Sequence, residues 1–382
     1  MEHDVEIELV FEAVQSRFPC LDVFRRSAVA VESEEMNPFD EVDVGLVFVS
    51  ARHDNAPFRM FSMGHPHYIY SSNIFVMLHF TYIYCIMYMI RLGAIRKVGC
   101  SMLKWLIVAD SSCDVRHMDT GSEDIGFETV PFLMRLNQTD YVDDLNLQTD
   151  EVVRLMEESD NTCTACPSPE LFANVFSKAE NVIAVTISGR LSGSYDSAMI
   201  ARSLVLNEYP DRHITVVDSK STGPKLAFML QAILYQIQAK QSFDAVCSFC
   251  MGLVDSVKTL FALSNFHNLV QKGRMKKVVG FVANQLGIRI VGEASKEGEI
   301  HVLELIRGEK RALRAILGNM EKAGFDGISA IISHCFNEQA ALQLRDMILS
   351  KWKDAVVQIL PTRGLDSYYA EKCGLIVSYQ IA

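Results

Sequence analysis

The chain has 382 residues, 49% of them hydrophobic, which is more than one core usually serves, so two or three domains are expected. Its net charge of −11 is concentrated at the start: residues 1–50 carry 12 acidic and 3 basic side chains, and residues 51–382 carry 35 and 33. Without a basic stripe, a low-complexity tract or an internal repeat, the sequence excludes a nucleic-acid binder, a disordered chain and a solenoid.

Met1 is followed by acidic residues and not by a basic and then apolar run. No secretory signal is read there, and the ten cysteines are expected as reduced thiols in a cytoplasm. No lysine precedes Lys97, and 60–90 holds no Asp, Glu, Lys or Arg. Tyr68–Ile90 is long enough to span a bilayer. Arg91, Arg96, Lys97 and Lys104 after it would place its C-terminal side in the cytoplasm. Five tyrosines, Asn73 and His79 within the run suit an interface better than hydrocarbon. Three readings stay open for 1–101: a membrane anchor giving membrane association through 68–90, a buried or interfacial helix, or an atypical extension outside the functional protein. The change of composition at Met102, followed at once by a clean strand, favours the last, with 102–382 folding without it.

After Met102, short apolar runs alternate with amphipathic stretches. Leu103–Ala109 reads as a strand ending at Asp110, and Thr129–Leu136 as a second apolar run. Pro167–Lys178 is a helix with proline in its first turn. Asn181–Ser188 is a β-branched strand. Leu191–Glu208 is helical with Ser192 as candidate N-cap. His213–Ser219 is a strand, followed by helices over Pro224–Lys240 and Phe243–Val257. A second block starts near Lys258: strand Lys258–Ser264, helices Phe266–Arg274 and Lys276–Leu286, and a hairpin of Ile288–Ala294 and Glu299–Arg307 around Lys296-Glu297-Gly298. Helix Lys310–Lys322 stops before Gly324. Strand Gly327–Ser333, helix Glu338–Trp352, strand Ala355–Leu360 and Gly374–Tyr379 complete the chain. The alternation predicts two α/β domains, 102–257 with a mainly parallel sheet and 258–382 with a mixed sheet.

Three constellations could carry chemistry. Thr186–Ala198 follows a strand, opens a helix and is rich in Gly and Ser; free amide groups there attract a carboxylate or phosphate, and Ser192 and Ser194 add hydroxyl donors. Ordinary capping would need only one of these residues. Thr162–Pro169 is a second hydroxyl-rich loop opening a helix, and two such loops can converge on one anion at the carboxyl edge of a parallel sheet. Arg274, Arg289, Arg307 and Arg363 lie beside Gly or after strands and suit bidentate binding of carboxylate or phosphate. There is no GxGxxG and no GxxxxGK[ST], so a nucleotide loop is absent.

In order, Asp-Ser-Ser-Cys-Asp (110–114), Thr-Ala-Cys-Pro-Ser-Pro (164–169), Ile-Ser-Gly-Arg-Leu-Ser-Gly-Ser-Tyr-Asp-Ser-Ala (187–198), Val-Val-Asp-Ser-Lys (216–220) and Lys-Gly-Arg (272–274) resemble the DegV family over 102–382. The resemblance implies a bacterial, non-catalytic protein of two α/β domains with a long-chain fatty acid between them. It further implies that the acyl carboxylate is presented to a separate fatty acid kinase subunit of the dihydroxyacetone-kinase type. Carried over, Thr164 and Ser192 donate hydroxyl hydrogen bonds to the carboxylate, and Arg274 and Arg307 lie near it. The family's C-terminal Gly-x-His-x-Gly-Pro-Gly is replaced by Pro-Thr-Arg-Gly-Leu-Asp-Ser-Tyr-Tyr-Ala (361–370), so Arg363 or Tyr368 takes the place of its histidine. The family's usual Ser-Gln is Ala165-Cys166 here. An acyl chain gains about 0.8 kcal/mol per buried methylene, and a buried carboxylate needs several donors.

The alternative is a small-molecule phosphotransferase or hydrolase using the Ser192 loop, but no Ser/His/Asp arrangement is identifiable. No cofactor is expected. Cys163/Cys166 and Cys247/Cys250 form two CxxC pairs, too widely separated and too poor in turns to predict a shared zinc. His334 reads as a polar strand-end residue, and Asp110 and Asp114 as capping or turn residues.

Overall fold

β1, Leu103–Asp110, is buried from Trp105 to Asp110, as a near-continuous apolar strand in the middle of a parallel sheet should be. The computed structural model describes residues 102–275 and 287–381. The extension 1–101, the candidate span 68–90 and the helix expected over 276–286 lie outside the described residues. Among the described residues, no helix is long and apolar enough to cross a membrane.

β1 is flanked by β2, Ile125–Val130, and β6, Ala179–Thr186, with β7, His213–Asp218, outermost; the order is β2-β1-β6-β7 and all three pairings are parallel. The second sheet joins β8, Val257–Leu263, β9, Ile288–Ala294, β10, Ile300–Arg307, β11, Phe325–His334, β12, Val356–Pro361, and β13, Leu375–Ile381. Its order is β10-β9-β8-β13-β11-β12. β11 and β12 pair in parallel, and the other neighbours are antiparallel. The fold is therefore mixed α/β, with one parallel and one mixed sheet.

A third sheet departs from the sequence reading. The run Thr129–Leu136 is not one strand. It breaks at Pro131, which has no N–H for a ladder, into β2 and β3, Leu133–Leu136. Asn137, at φ 55°, turns the chain into β4, Thr139–Val142, with Leu136 opposite Thr139. β5, Thr162–Ala165, pairs on the other side of β3. Two helices were also not read from the sequence: α1, Thr149–Glu157, and a C-terminal one introduced below. α2 is Pro169–Phe176, starting two residues later than expected because the Ser168 hydroxyl accepts the Leu171 N–H.

α3, Ser194–Glu208, and α5, Phe243–Ser256, are accompanied by α4, Pro224–Gln238. Pro224 to Leu230 is buried without interruption, so α4 has no solvent face in its first two turns. Its residues share one core with Trp105, Ile107 and Ile183 of the first sheet and with Val257 and Ile331 of the second. Lys225 survives there because its Nζ donates to the Val254 carbonyl at 2.8 Å; burial brings its pKa down to about 8. α6, His267–Gln271, is shorter than the expected 266–274, ending in a turn at Gly273, φ 77°. α7, Glu309–Lys322, and α8, Glu338–Lys351, cover the second sheet through Ile316, Met320, Leu344 and Ile348.

The last helix, α9, Gly364–Ala370, is fixed by a buried ion pair. Arg363 has no solvent exposure. Its guanidinium donates to the Val115 and Asp143 carbonyls, at 2.9 and 2.7 Å, and to the Thr129 hydroxyl at 3.3 Å. Its Nε lies 3.7 Å from Asp143 Oδ1. The Asp143 carboxylate in turn accepts the first amides of α9, Gly364 at 3.1 Å and Leu365 at 3.0 Å. Removing one partner of a buried pair costs about 3–5 kcal/mol because the other charge is left unmatched. Arg363→Met is expected to lower stability by that amount in urea unfolding; a loss below about 1 kcal/mol would show that the pair does not hold α9.

Candidate ligand site

The site starts at Asp110, the last residue of β1. In the order β2-β1-β6-β7 the chain runs to one side of β1 and then to the other, so the carboxyl ends of β1 and β6 form the crevice where α/β sheets bind ligands. Asp110 is fully buried there. One oxygen accepts the Ser112 amide and hydroxyl at 3.3 and 2.6 Å. The other accepts the Ile187 amide at 2.9 Å and the Ser194 hydroxyl at 2.6 Å. Burial raises the carboxyl above its ordinary range, and the hydrogen bonds pull it back in part. Asp110 thus ties the end of β1 to the loop 187–193 and to the first residue of α3.

That loop folds tightly on itself. Ser188 O accepts the Leu191 and Ser192 amides at 2.9 and 3.1 Å, and the Ser188 hydroxyl donates to Gly298 O at 2.7 Å. Ser192 is not the N-cap expected from the sequence. Gly193 holds that place without a side-chain cap, and Ser192 Oγ accepts the Ser194 amide at 3.3 Å. The Ser192 hydroxyl proton is left free to donate. Gly193 faces Cys166, whose Sγ would stand 3.4 Å from a Cβ at that position.

β5 brings Thr162 and Thr164 onto one face, two residues apart. Thr162 Oγ1 bonds the Tyr368 hydroxyl at 2.7 Å, and Thr164 Oγ1 bonds the Tyr369 hydroxyl at 2.9 Å. Tyr368 has no exposure, and burial lifts its phenol to about 12. Tyr369 lines the cavity.

Between the sheets lies a cavity of about 340 Å³, within the size range of small-molecule sites. Thr164, Cys166, Ser192, Gly193 and Arg274 line one part of it; Phe261, Leu263, Leu269, Ile300 and Ile376 give it an apolar wall. Arg274 is anchored by Nε–H to Leu191 O at 3.2 Å and by Nη1–H to Lys272 O at 2.6 Å. Its guanidinium carbon stands 6.0 Å from the Tyr369 ring centroid. A positive charge, two hydroxyls and a helix start therefore adjoin an apolar volume, an arrangement suited to an amphiphile with a small anionic head.

The structure brings Thr164, Ser192 and Arg274 together and leaves two expected residues out. Arg363 does not line the cavity: its guanidinium is consumed by Asp143, Val115 and Thr129. Arg307 is exposed at the end of β10, away from the cavity lining. Tyr369, one place after the tyrosine singled out in the sequence, lines the cavity with Leu365 and Asp366 of α9. Their signal, an apolar and aromatic spacing within 364–370, is a helix of two turns and too short to read by period. Cys250 is in the core beside α4 and Cys166 on the cavity wall. Among the described residues, no three His, Cys, Asp or Glu side chains cluster as a metal site.

A model of the DegV family, described as uncharacterised proteins, matches residues 104–370. A DegV domain-containing protein of Streptococcus gordonii is 37% identical over 280 residues, covering 73% of this chain and all of that protein. A crystal structure of the Streptococcus pneumoniae Fatty Acid Kinase (Fak) B3 protein loaded with linoleic acid is similar at 35% identity and TM-score 0.72, covering 73% of this chain and 100% of its own. A DegV family protein from Eubacterium eligens loaded with heptadecanoic acid is similar at 31% identity and TM-score 0.70, with coverages of 73% and 100%.

Asp110 is the support for the loop, so its removal should register in stability. Asp110→Ala leaves the Ile187 amide and Ser194 hydroxyl buried without a partner, at about 1–3 kcal/mol for each group. A total loss of roughly 2–6 kcal/mol is expected in denaturant unfolding; a loss under about 1 kcal/mol would show that the loop holds itself.

Proposed function

The chain belongs to the DegV family, and from that premise we propose that it binds a long-chain fatty acid in the cavity between its sheets. The acyl carboxylate accepts the Ser192 and Thr164 hydroxyls and pairs with Arg274; the chain lies along Phe261, Leu263, Leu269, Ile300 and Ile376. The observation that carries this reading is the joining of those three head-group residues to one apolar cavity. Two similar structures at more than 30% identity hold linoleic and heptadecanoic acid, which supports the choice of ligand.

The finer reading is that the chain acts in the cytoplasm as a binding subunit and not as a catalyst. It presents the carboxylate for acyl-phosphate formation to a separate kinase subunit of the dihydroxyacetone-kinase type. The name of the Streptococcus pneumoniae neighbour and the absence of a nucleotide loop from the sequence support it. The division at 257/258 is proposed as the seam between a first half carrying the Ser192 loop and a second half carrying most of the apolar wall. A hydrolase is disfavoured because no histidine lines the cavity among the described residues.

The test is affinity by calorimetry for palmitate and oleate against their methyl esters. Hydrogen bonds to a charged group are worth about 1.5–3 kcal/mol, so Ser192→Ala and Thr164→Val should each weaken acid binding by about tenfold or more. They should leave weak ester binding unchanged. Esters that bind as well as acids, or a Ser192→Ala protein that binds like the parent, would show that the carboxylate lies elsewhere. Ser192→Ala should also fail to support acyl-phosphate formation by an added kinase subunit.

A further inference from the structure

Beside the cavity, two buried carboxylates each carry an oxygen without a settled hydrogen-bond partner, and the one donor facing them, the Ser333 hydroxyl beside Asp114, is neutral and itself buried without another partner. Asp114 sits in the left-handed region at φ 56° after the turn 111–113, and its Oδ1 accepts the Arg363 amide at 2.7 Å. Asp366, on α9, accepts the Thr222 hydroxyl through Oδ1 at 2.6 Å. The remaining oxygens, Asp114 Oδ2 and Asp366 Oδ2, are buried without partners. They converge: a Cβ placed on Gly223 would stand 2.6 Å from Asp366 Oδ2 and 2.9 Å from Asp114 Oδ2. Only a glycine leaves them that space.

Among the described residues, no cation is bonded to these two oxygens. The two terminal nitrogens of Arg363 donate to Val115, Thr129 and Asp143, its Nε stands 3.7 Å from Asp143 without a hydrogen bond, and Lys225 donates to Val254. Two adjacent carboxylates out of water cannot both be ionised. We infer that Asp114 and Asp366 share one proton in an acid–carboxylate hydrogen bond, and that this bond is the latch that positions α9 against the cavity. The role in ligand retention rests on the fatty-acid reading above; the latch itself does not. α9 contributes Leu365, Asp366, Tyr369 and Ala370 to the cavity wall, and Tyr369 holds the Thr164 hydroxyl. Asp366 is thus a positioning residue for the head-group site.

Loss of the proton sets two like charges against each other in a buried place and parts α9 from the turn that carries Asp114. The other ionisable groups facing the pair are Asp143, Arg363, Cys113 and Cys335. Burial pushes the two thiols up to about 12 and about 11, so they stay neutral. Burial also raises Asp114 to about 7, and Asp366 well above the carboxylate range, with Asp114 as its next cause. A carboxyl raised in the folded state stabilises fully below its unfolded value near 4, and that contribution is lost as pH rises through the folded value. The unliganded chain therefore loses stability from mildly acid pH through neutrality and beyond, about tenfold in its unfolding equilibrium per pH unit while one extra proton is held.

The experiment uses the full chain and its Asp366→Asn variant, whose amide donates permanently to Asp114. Infrared difference spectra at neutral pH should show the carbonyl stretch of a protonated carboxyl in the parent, and that band should vanish in the variant. Oleate affinity of the parent should fall by about tenfold or more from pH 6 to pH 9, while that of the variant changes by less than about threefold. If Asp366→Asn does not fold, Asp114→Asn supplies the donor from the other side. A parent with the infrared band and the pH-dependent stability but no oleate binding at any pH keeps the latch and refutes the fatty-acid reading. A parent that binds oleate with pH-independent affinity overturns the latch as a positioning device. So does an Asp366→Asn protein that follows the parent's profile, or a stoichiometric metal ion that the variant no longer holds.

Discussion

A charge taken out of water must be matched by donors, by an opposite charge or by a proton, and this constraint shapes everything around the cavity. Asp110 meets it with two amides and two hydroxyls. Asp143 meets it with Arg363 and the first two amides of α9. Asp114 and Asp366, left with one unmatched oxygen each, meet it by sharing a proton. The first solution fixes the loop 187–193, the second fixes where α9 begins, and the third fixes how α9 lies. Thr164, Ser192, Arg274 and Tyr369 stand where they do because those three are in place.

An acyl carboxylate entering the cavity is subject to the same demand. The apolar wall supplies most of the binding free energy, at about 0.8 kcal/mol per buried methylene. It is indifferent to where along the cavity the chain stops. The head-group donors supply orientation. Ser192 Oγ takes part in the loop only as the acceptor of the Ser194 amide, which leaves its proton free to donate. Arg274 is exposed but tethered to the backbone carbonyls of Leu191 and of its own turn at Lys272, so its charge stays near Leu191 and Ser192. A carboxylate held there remains close to the surface.

Much of this is legible in the amino-acid sequence. The buried parallel strands 103–110 and 179–186 are runs of apolar and β-branched residues, and the 288–307 hairpin is marked by Gly298 at φ 87°. The small Gly and Ser residues of 187–194 announced a loop that frees donors. What was missed has physical causes. Pro131 splits one apolar run into two strands of different sheets, which hydrophobicity alone does not register. Helix 364–370 is too short to show a period, so Tyr369 was hidden behind Tyr368. Arg363 has the residue type of an anion binder, yet its role was decided by Asp143, 220 positions away in the chain, a pairing that no local pattern encodes.

The most direct measurement is mass spectrometry of an organic extract of the purified chain, before and after delipidation and reloading. The account predicts a long-chain fatty acid at one per protein, removed by delipidation and restored by added oleate. A protein that carries no acyl chain, takes none up and instead hydrolyses esters would contradict it.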